Sequence, residues 1–410
     1  MVTKLKHICC ILLPAFLIGC SDDSYRGRID EVLAGNDKMP VILSLGDPSG
    51  NITSGKSSTK GTGAVDATSD LLADGKYVYV YGFGSSASSF ALRSESDPYS
   101  CLIDASLDTP GAVSGRKASV SATDTYLNWV DSDRTVYWPT GERGAEPYDF
   151  FAYYLDDIPV RDSDYDRTDE GISIKVNIDG NNDLMAGRAS LTEKQLQRFS
   201  ADERSRVQEY AYSYYTAIRD VTPTIVLNHQ LVRLDFEIIP GVTLGIRKKM
   251  FIQAISLESK TTGDFTVVAR DFEQTGVNFS GGEEKLYLKE KGGNLLSRDT
   301  YYIRTRAYDY ETIEKLSLPA SFFVPPAESY PLRMVIREMR QDDEEVIEAE
   351  NENPTPVPVS PGPEGFKAGN RYKVKITLIG LTNIKVEVSL VPWETGGSVI
   401  IDQGDEPPVI

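Results

Sequence analysis

The sequence predicts an all-β chain folded as two antiparallel β-sandwiches. Three observations carry this. Short runs of alternating apolar and polar residues recur from residue 76 to the C-terminus, punctuated by Gly, Pro, Asn and Asp. Helical periodicity is confined to one stretch, 191–219. Of four cysteines, at 9, 10, 20 and 101, only Cys101 lies beyond residue 20, so no internal disulfide staples the body. Stability must come from hydrophobic cores, and a 410-residue chain is long enough for two of ordinary size.

At the N-terminus, Lys4 and Lys6 precede an apolar run from Ile8 to Ile18. The run is too short for a membrane-spanning helix, which needs roughly 20 apolar residues, and residues 1–19 read as a secretory signal peptide. Leu17, Ile18, Gly19 and Cys20 resemble a bacterial lipobox, which implies that Cys20 carries lipid and anchors the chain to a membrane without crossing it. Ser21, Asp22 and Asp23 resemble the surface-export signal of lipoproteins from anaerobic Gram-negative bacteria. Residues 20–39 then read as a polar tether.

"MPVILSL" (39–45) is a short apolar strand, followed by a Gly/Ser/Thr loop over 46–63. In "KYVYVYGF" (76–83) both alternating sets are bulky, so both faces of that strand are expected to be covered. "RTVYWP" (134–139) and "YDFFAYYL" (148–155) are aromatic and strand-like. "GISIKVNIDGNNDLMAGRASL" (171–191) reads as two strands joined in a hairpin through Asp179-Gly180. Ser190 with Glu193, and Ser200 with Glu203, have capping-box spacing. Val207, Tyr210, Ala211, Tyr214 and Ile218 form an apolar stripe, so one or two helices are expected within 191–219, packed on a sheet.

Beyond Pro223 the alternation returns. Val232, Leu234, Phe236 and Ile238 share one face, whereas Ile225, Leu227 and Leu231 are in the opposite phase. That slip predicts a bulge near 231–232. "FIQAISLES" (251–259), "FTVVAR" (265–270), "KLYLK" (285–289) and "LRMVIRE" (332–338) are further strands. Residues 341–364, acidic and then Pro-rich, read as a solvated linker. Tyr372, Val374, Ile376 and Leu378 pair in pattern with Ile384, Val386, Val388 and Leu390 as a hairpin, and "SVIID" (398–402) is a last strand. The domains are set at 40–222 and 223–410.

Lys and Arg number 43 against 61 Asp and Glu, a net charge of −18, and loss of Lys4 and Lys6 with the leader makes the chain more acidic still. This argues against a nucleic-acid partner, which needs basic patches for phosphates. Only His7 and His229 exist. His7 leaves with the leader, and His229, inside a strand, reads as a structural imidazole satisfied by a neighbour. Asp162, Asp164 and Asp166 alternate like calcium ligands, but Arg167 and Ser173 stand where the loop needs Gly and a bidentate Glu. Cys101 reads as a small buried strand residue. The sequence contains no P-loop, and no cofactor, metal site or catalytic residue is assigned.

Several segments taken in order resemble the fimbrillin-like surface lipoproteins of anaerobic Gram-negative bacteria: "TKGTGAVDATSDLLADGKYVYVYGF", "VYWPTGERGAEPYDFFAYY", "DLMAGRA", "LNHQLVRLDFEIIPG" and "YKVKITLIGLTNIKVEVSLVPWETGG". The resemblance implies two transthyretin-like sandwiches and a lipoprotein precursor placed on the outer membrane, whose subunits join into fimbriae. It also implies trimming by an arginine-specific protease that removes an N-terminal strand, leaving a groove for a strand of another subunit. On this chain Val41, Ile42, Leu43, Ser44 and Leu45 would form the removable strand. The sequence departs from the pattern between 46 and 63, where only Lys56 and Lys60 offer basic cleavage points, while Arg26 and Arg28 precede the strand. The function expected is that of a non-enzymatic stalk, tip or anchor subunit, with other subunits, the outer membrane and surface receptors or glycans as partners. The alternative is a glycan-binding lipoprotein using Trp129, Tyr137 and Trp138.

Overall fold

The computed structural model describes residues 38–46, 76–92, 99–120, 126–130, 134–241, 248–271, 274–290, 293–304, 315–341, 346–352, 357–379 and 384–391. The fold is all-β, built from three large sheets. The first runs in the order Asn228–His229, Met185–Arg188, Tyr148–Tyr154, Val78–Gly84, Arg116–Val120, Leu127–Trp129, with Cys101–Ile103 also paired to Val78–Gly84. The second runs Leu316–Val324, Val232–Pro240, Arg371–Leu378, Ile384–Val391. The third is assembled around one strand of 22 residues, Lys248–Ala269.

That long strand serves both halves of the molecule. Tyr330–Gln341 pairs with residues 248–257, and Gly171–Asn177 pairs with residues 262–269. Tyr302–Arg304 and Gly276–Tyr287 pair over registers that overlap these, so they must lie along the opposite edge. Met250, Ile252, Ile255 and Leu257 enter the core shared with the second sheet, alongside Phe236, Phe322 and Ile376. Phe265, Val267 and Val268 enter a different core, with Tyr81, Phe151 and Tyr153 of the first sheet. The apolar set changes phase between Ile252 and Ile255, where a register shift separates Ile252 from Ala254. One extra residue there keeps the apolar side chains on one face. "FIQAISLES" and "FTVVAR" are thus one strand. Nothing in Lys260–Gly263 forces a turn, and Gly276–Tyr287 hydrogen-bonds across the join.

The first sheet is buried on both faces. Val78 and Val80 point into one core with Phe150 and Trp138, while Tyr81 and Phe83 point into the other with Phe265. This is the two-sided covering implied by bulky residues in both phases of "KYVYVYGF". Glu193–Leu196, Ala201–Glu209 and Tyr214–Ala217 contribute helices on the first of these cores, which takes in Val207, Tyr212 and Ala217. Three short helices therefore replace the expected one or two. Tyr212 adopts φ 55°, which no helix accommodates, and Ile218 ends up exposed. Glu203 accepts from Ser200 N at 3.1 Å as expected, but the first box is formed by Thr192 and Gln195 rather than Ser190 and Glu193.

Two local signals, one read as a hairpin turn and one as a bulge, prove to be crossings between sheets. Asp179-Gly180, with Gly180 at φ +88°, joins Gly171–Asn177 of the third sheet to Met185–Arg188 of the first, so the two strands do not form a hairpin. The phase slip at 231–232 is likewise no bulge. Leu231 is buried in the core of the first sheet and Val232 in that of the second, so the chain changes sheets between them. His229 Nδ1, just before this crossing, lies 2.5 Å from Asp183 Oδ2, which supplies the satisfied imidazole expected there.

The terminal hairpin has the expected register, Tyr372↔Leu390 through Leu378↔Ile384. Val232–Pro240 and Arg371–Leu378, however, are parallel. The stretch 341–364 departs from a solvated linker: Val346–Glu352 and Val357–Val359 pair antiparallel with Tyr330–Gln341. The edge of that strand supplies the main-chain partners that a polar segment needs in order to pair. "SVIID" lies outside the described residues.

In the second sheet, Asp235 gathers Arg371 Nε at 2.5 Å, Ser321 Oγ at 2.5 Å and Arg233 Nε at 3.1 Å. Burial alone would raise its carboxyl pKa, but Arg233, Ser321 and Arg371 outweigh it and hold the pKa below the ordinary value. A carboxyl depressed in the folded state adds stability above its unfolded pKa of about 3.9 and loses it as pH falls through the folded value. Asp235→Asn should therefore destabilise the protein at pH 7, and the difference from wild type should shrink from about pH 4 downward. Urea denaturation across pH 2–7 reads this out.

Candidate functional site

The candidate site is the seat of the N-terminal strand. Ser44–Gly46 lies parallel to Thr224–Val226 in the register Ser44↔Thr224, Leu45↔Ile225, Gly46↔Val226. Ser44 N donates to Pro223 O at 3.0 Å, and the Ser44 and Thr224 hydroxyls are 3.0 Å apart. Along the other side, Leu127 N donates to Leu43 O at 2.9 Å, Val41 N to Val136 O at 2.8 Å, and Trp138 N to Met39 O at 2.9 Å. "RTVYWP", expected as a strand of its own, is thus the lateral partner of residues 39–41.

Alternation does the rest. Met39, Val41, Leu43 and Leu45 are buried in the core beneath the first sheet, with Trp138, Phe150, Val207 and Ile225. Each such side chain contributes about 1.5–3 kcal/mol of burial. Ile42, in the opposite phase, is half-buried. The floor depends on Gly187: a Cβ there would stand 2.0 Å from Val226 O, so a side chain would push Thr224–Val226 away. Thr224–Val226 pairs with Ser44–Gly46 in parallel, and a parallel neighbour 180 residues away leaves no local signal in the sequence.

Without residues 38–46 this seat would be a groove lined by Pro223 O, Val136 O, Leu127 N and Trp138 N over apolar holes. These are the backbone partners and apolar holes that an extended segment with apolar residues at every second position requires. Cys20, Arg28, Lys56 and Lys60 lie outside the described residues.

The other residues singled out by sequence are dispersed. Trp138 is core, packed edge-on against Phe150 at 5.7 Å between ring centroids. Trp129 is half-buried with the Arg116 guanidinium 4.5 Å from its ring centroid, and Tyr137 is exposed. The three form no common stacking platform because Tyr137 and Trp138 point to opposite sides of one extended segment. In the acidic loop, Arg161 N donates to Asp164 at 2.7 Å, and Asp166 is exposed. Arg167 turns inward to Asp104 at 2.6 Å and to Val113 O at 3.0 Å. Cys101 is buried in its strand. No group of three or more metal-ligating side chains occurs among the described residues.

Leu43→Ala should cost about 2–5 kcal/mol, and Ile42→Ala distinctly less, as measured by urea denaturation. Gly187→Ala should destabilise the seat with no loss of an apolar contact, detected as faster amide exchange at Ser44.

A family model described as fimbrillin-like matches residues 104–393. No curated protein matches the chain. Among solved structures, a fimbrial protein from Bacteroides vulgatus is 14% identical over 80% of this chain and 96% of its own, with a TM-score of 0.45. The tip fimbrial protein Mfa3 from Porphyromonas gingivalis is 12% identical over 86% of this chain and 99% of its own, with a TM-score of 0.35. With the family model spanning well over half of its length, the chain belongs to the fimbrillin-like family.

Proposed function

We propose that this chain is a non-enzymatic structural or accessory subunit of a cell-surface fimbria. In this reading it is held at the outer membrane by lipid on Cys20 and joined to neighbouring subunits by strand addition, so contributing to adhesion. The observation that carries the reading is the seat of residues 38–46: a short segment whose alternate side chains plug a core and whose backbone partners all come from distant parts of the chain. A strand of that kind can be exchanged for another of the same pattern without refolding the sheets around it. The seat left open would be an assembly site, because exposed strand edges pair with other chains.

The positions of the basic residues, cut or uncut, distinguish three roles. Cleavage after Lys56 or Lys60 would detach the strand from the body and open the groove, as a polymerising subunit requires. Cleavage after Arg28 would free the lipid and leave the strand seated, as in a tip or accessory subunit. An uncut chain keeps both and acts as an anchor. The absence of arginine between 46 and 63 favours the roles that retain the strand.

Mass spectrometry of surface-shed protein should find a new N-terminus after Arg28, Lys56 or Lys60, or an intact lipidated Cys20, and so separates the roles. Facing residues on paired strands lie about 4.7–4.9 Å apart, within disulfide reach. Ser44→Cys combined with Thr224→Cys should therefore lock the strand in its seat. Under oxidising conditions the locked protein should lose any high-molecular-weight ladder on unboiled gels, and reductant should restore it. A ladder unaffected by the lock would refute strand addition at this groove.

A further inference from the structure

Beside the strand seat lies a cavity of about 490 Å³ whose wall is the segment Arg134–Thr140, with Lys38 and Tyr99 at its rim. Its size is within the range of small-ligand sites, roughly 300–1,000 Å³. Its character contrasts with the chain as a whole. The protein carries a net charge of −18, yet among the described residues that line the cavity the charged ones are Lys38, Arg134 and Arg143. Arg134 pairs with Asp108 at 2.6 Å and Arg143 with Glu146 at 3.5 Å, and neither of these two acids lines the cavity.

Two exposed aromatic rings complete the site. Tyr99 and Tyr137 are 44% and 41% exposed, enough to leave ring surface open to a ligand. Arg143 sits 4.6 Å from the Tyr99 ring centroid, and Lys38 Nζ sits 5.8 Å from that of Tyr137. Thr135 and Thr140 add hydroxyls to the lining. Guanidinium groups recognise planar anions through paired hydrogen bonds. Tyrosine offers an apolar face together with a polar tip, which suits a ring with apolar faces and hydroxyl edges.

We propose that this cavity binds an acidic saccharide, its carboxylate or sulfate held by Arg143 and Lys38 and its ring packed on Tyr99 and Tyr137. Pocket and strand seat share a wall. Lys38 opens the strand, and the Val136 and Trp138 main chain holds residues 39–41. Ligand bound here therefore stabilises the form that keeps its N-terminal strand. This last coupling rests on the strand-addition reading; the pocket itself does not.

The test is calorimetric titration of the full mature chain with digalacturonic acid, a sulfated heparin disaccharide, neutral cellobiose and sodium sulfate. The expected result is saturable binding of one or both acidic disaccharides, with cellobiose and sulfate roughly tenfold weaker or worse. The two acidic probes separate carboxylate from sulfate recognition. Arg143→Ala and Lys38→Ala should each weaken binding roughly tenfold, with near-ultraviolet circular dichroism unchanged. Tyr137→Ala should weaken it while keeping the cations. Equal binding of cellobiose, equal binding of sulfate alone, no binding at millimolar concentration, or folded variants that bind like wild type would each overturn the proposal. A normal ladder on unboiled gels alongside any of these outcomes would leave fimbrial assembly standing.

Discussion

The structure depends on one strand, Lys248–Ala269, that belongs to two sandwiches at once. Its first half covers the core of the second sheet and its last third covers one face of the first. Neither sandwich closes without it, because the residues that complete each core are carried on the same continuous backbone. Bulges make this sharing possible. A strict period of two over so long a strand would turn half of its apolar residues to solvent, whereas a register shift of one residue returns them to the core.

A second consequence falls on the first sheet. With the long strand and Gly171–Asn177 covering one of its faces, the other must find its own cover. Short helices supply part of it, and Met39, Val41, Leu43 and Leu45 supply more. The N-terminal strand is therefore integral to a core, held among the described residues by main-chain bonds and by its side-chain plugs. Burial fixes the strand in the core, while its backbone partners all come from distant parts of the chain. Those two properties together give the seat its functional interest. The cation-lined cavity adjoins the seat because the extended segment Arg134–Thr140 pairs with the strand through its main chain and presents Tyr137 outward.

Local pattern was most legible where two strands adjoin in sequence. The hairpin from Tyr372 to Leu390 needs only alternation and a turn, and its register follows from both. His229 could be read as structural from its place in an apolar strand, although its partner Asp183 could not be named. Local pattern misleads where a strong local signal serves a non-local end. Asp179-Gly180 makes a sharp turn in either case, but whether the next strand pairs with the last depends on which sheet receives it. The phase slip at Leu231–Val232 was visible, and its meaning changed from bulge to sheet crossing once two cores stood on either side. Lys260–Gly263 lacks apolar residues and looked like a break, but its neighbour strand pairs straight across it.

By itself the sequence determined the class of the fold, the burial of both faces of "KYVYVYGF", the terminal hairpin and the apolar alternation of residues 39–45. All of these are properties of period and composition, which act over a few residues. Only the tertiary structure decided that one strand serves two cores, that Thr224–Val226 floors the N-terminal strand in parallel, that Trp138 faces inward and that Lys38, Arg134 and Arg143 converge. Such placements depend on contacts between residues far apart in the chain, and loop-closure entropy grows too slowly with separation for local sequence to specify which distant partner is chosen.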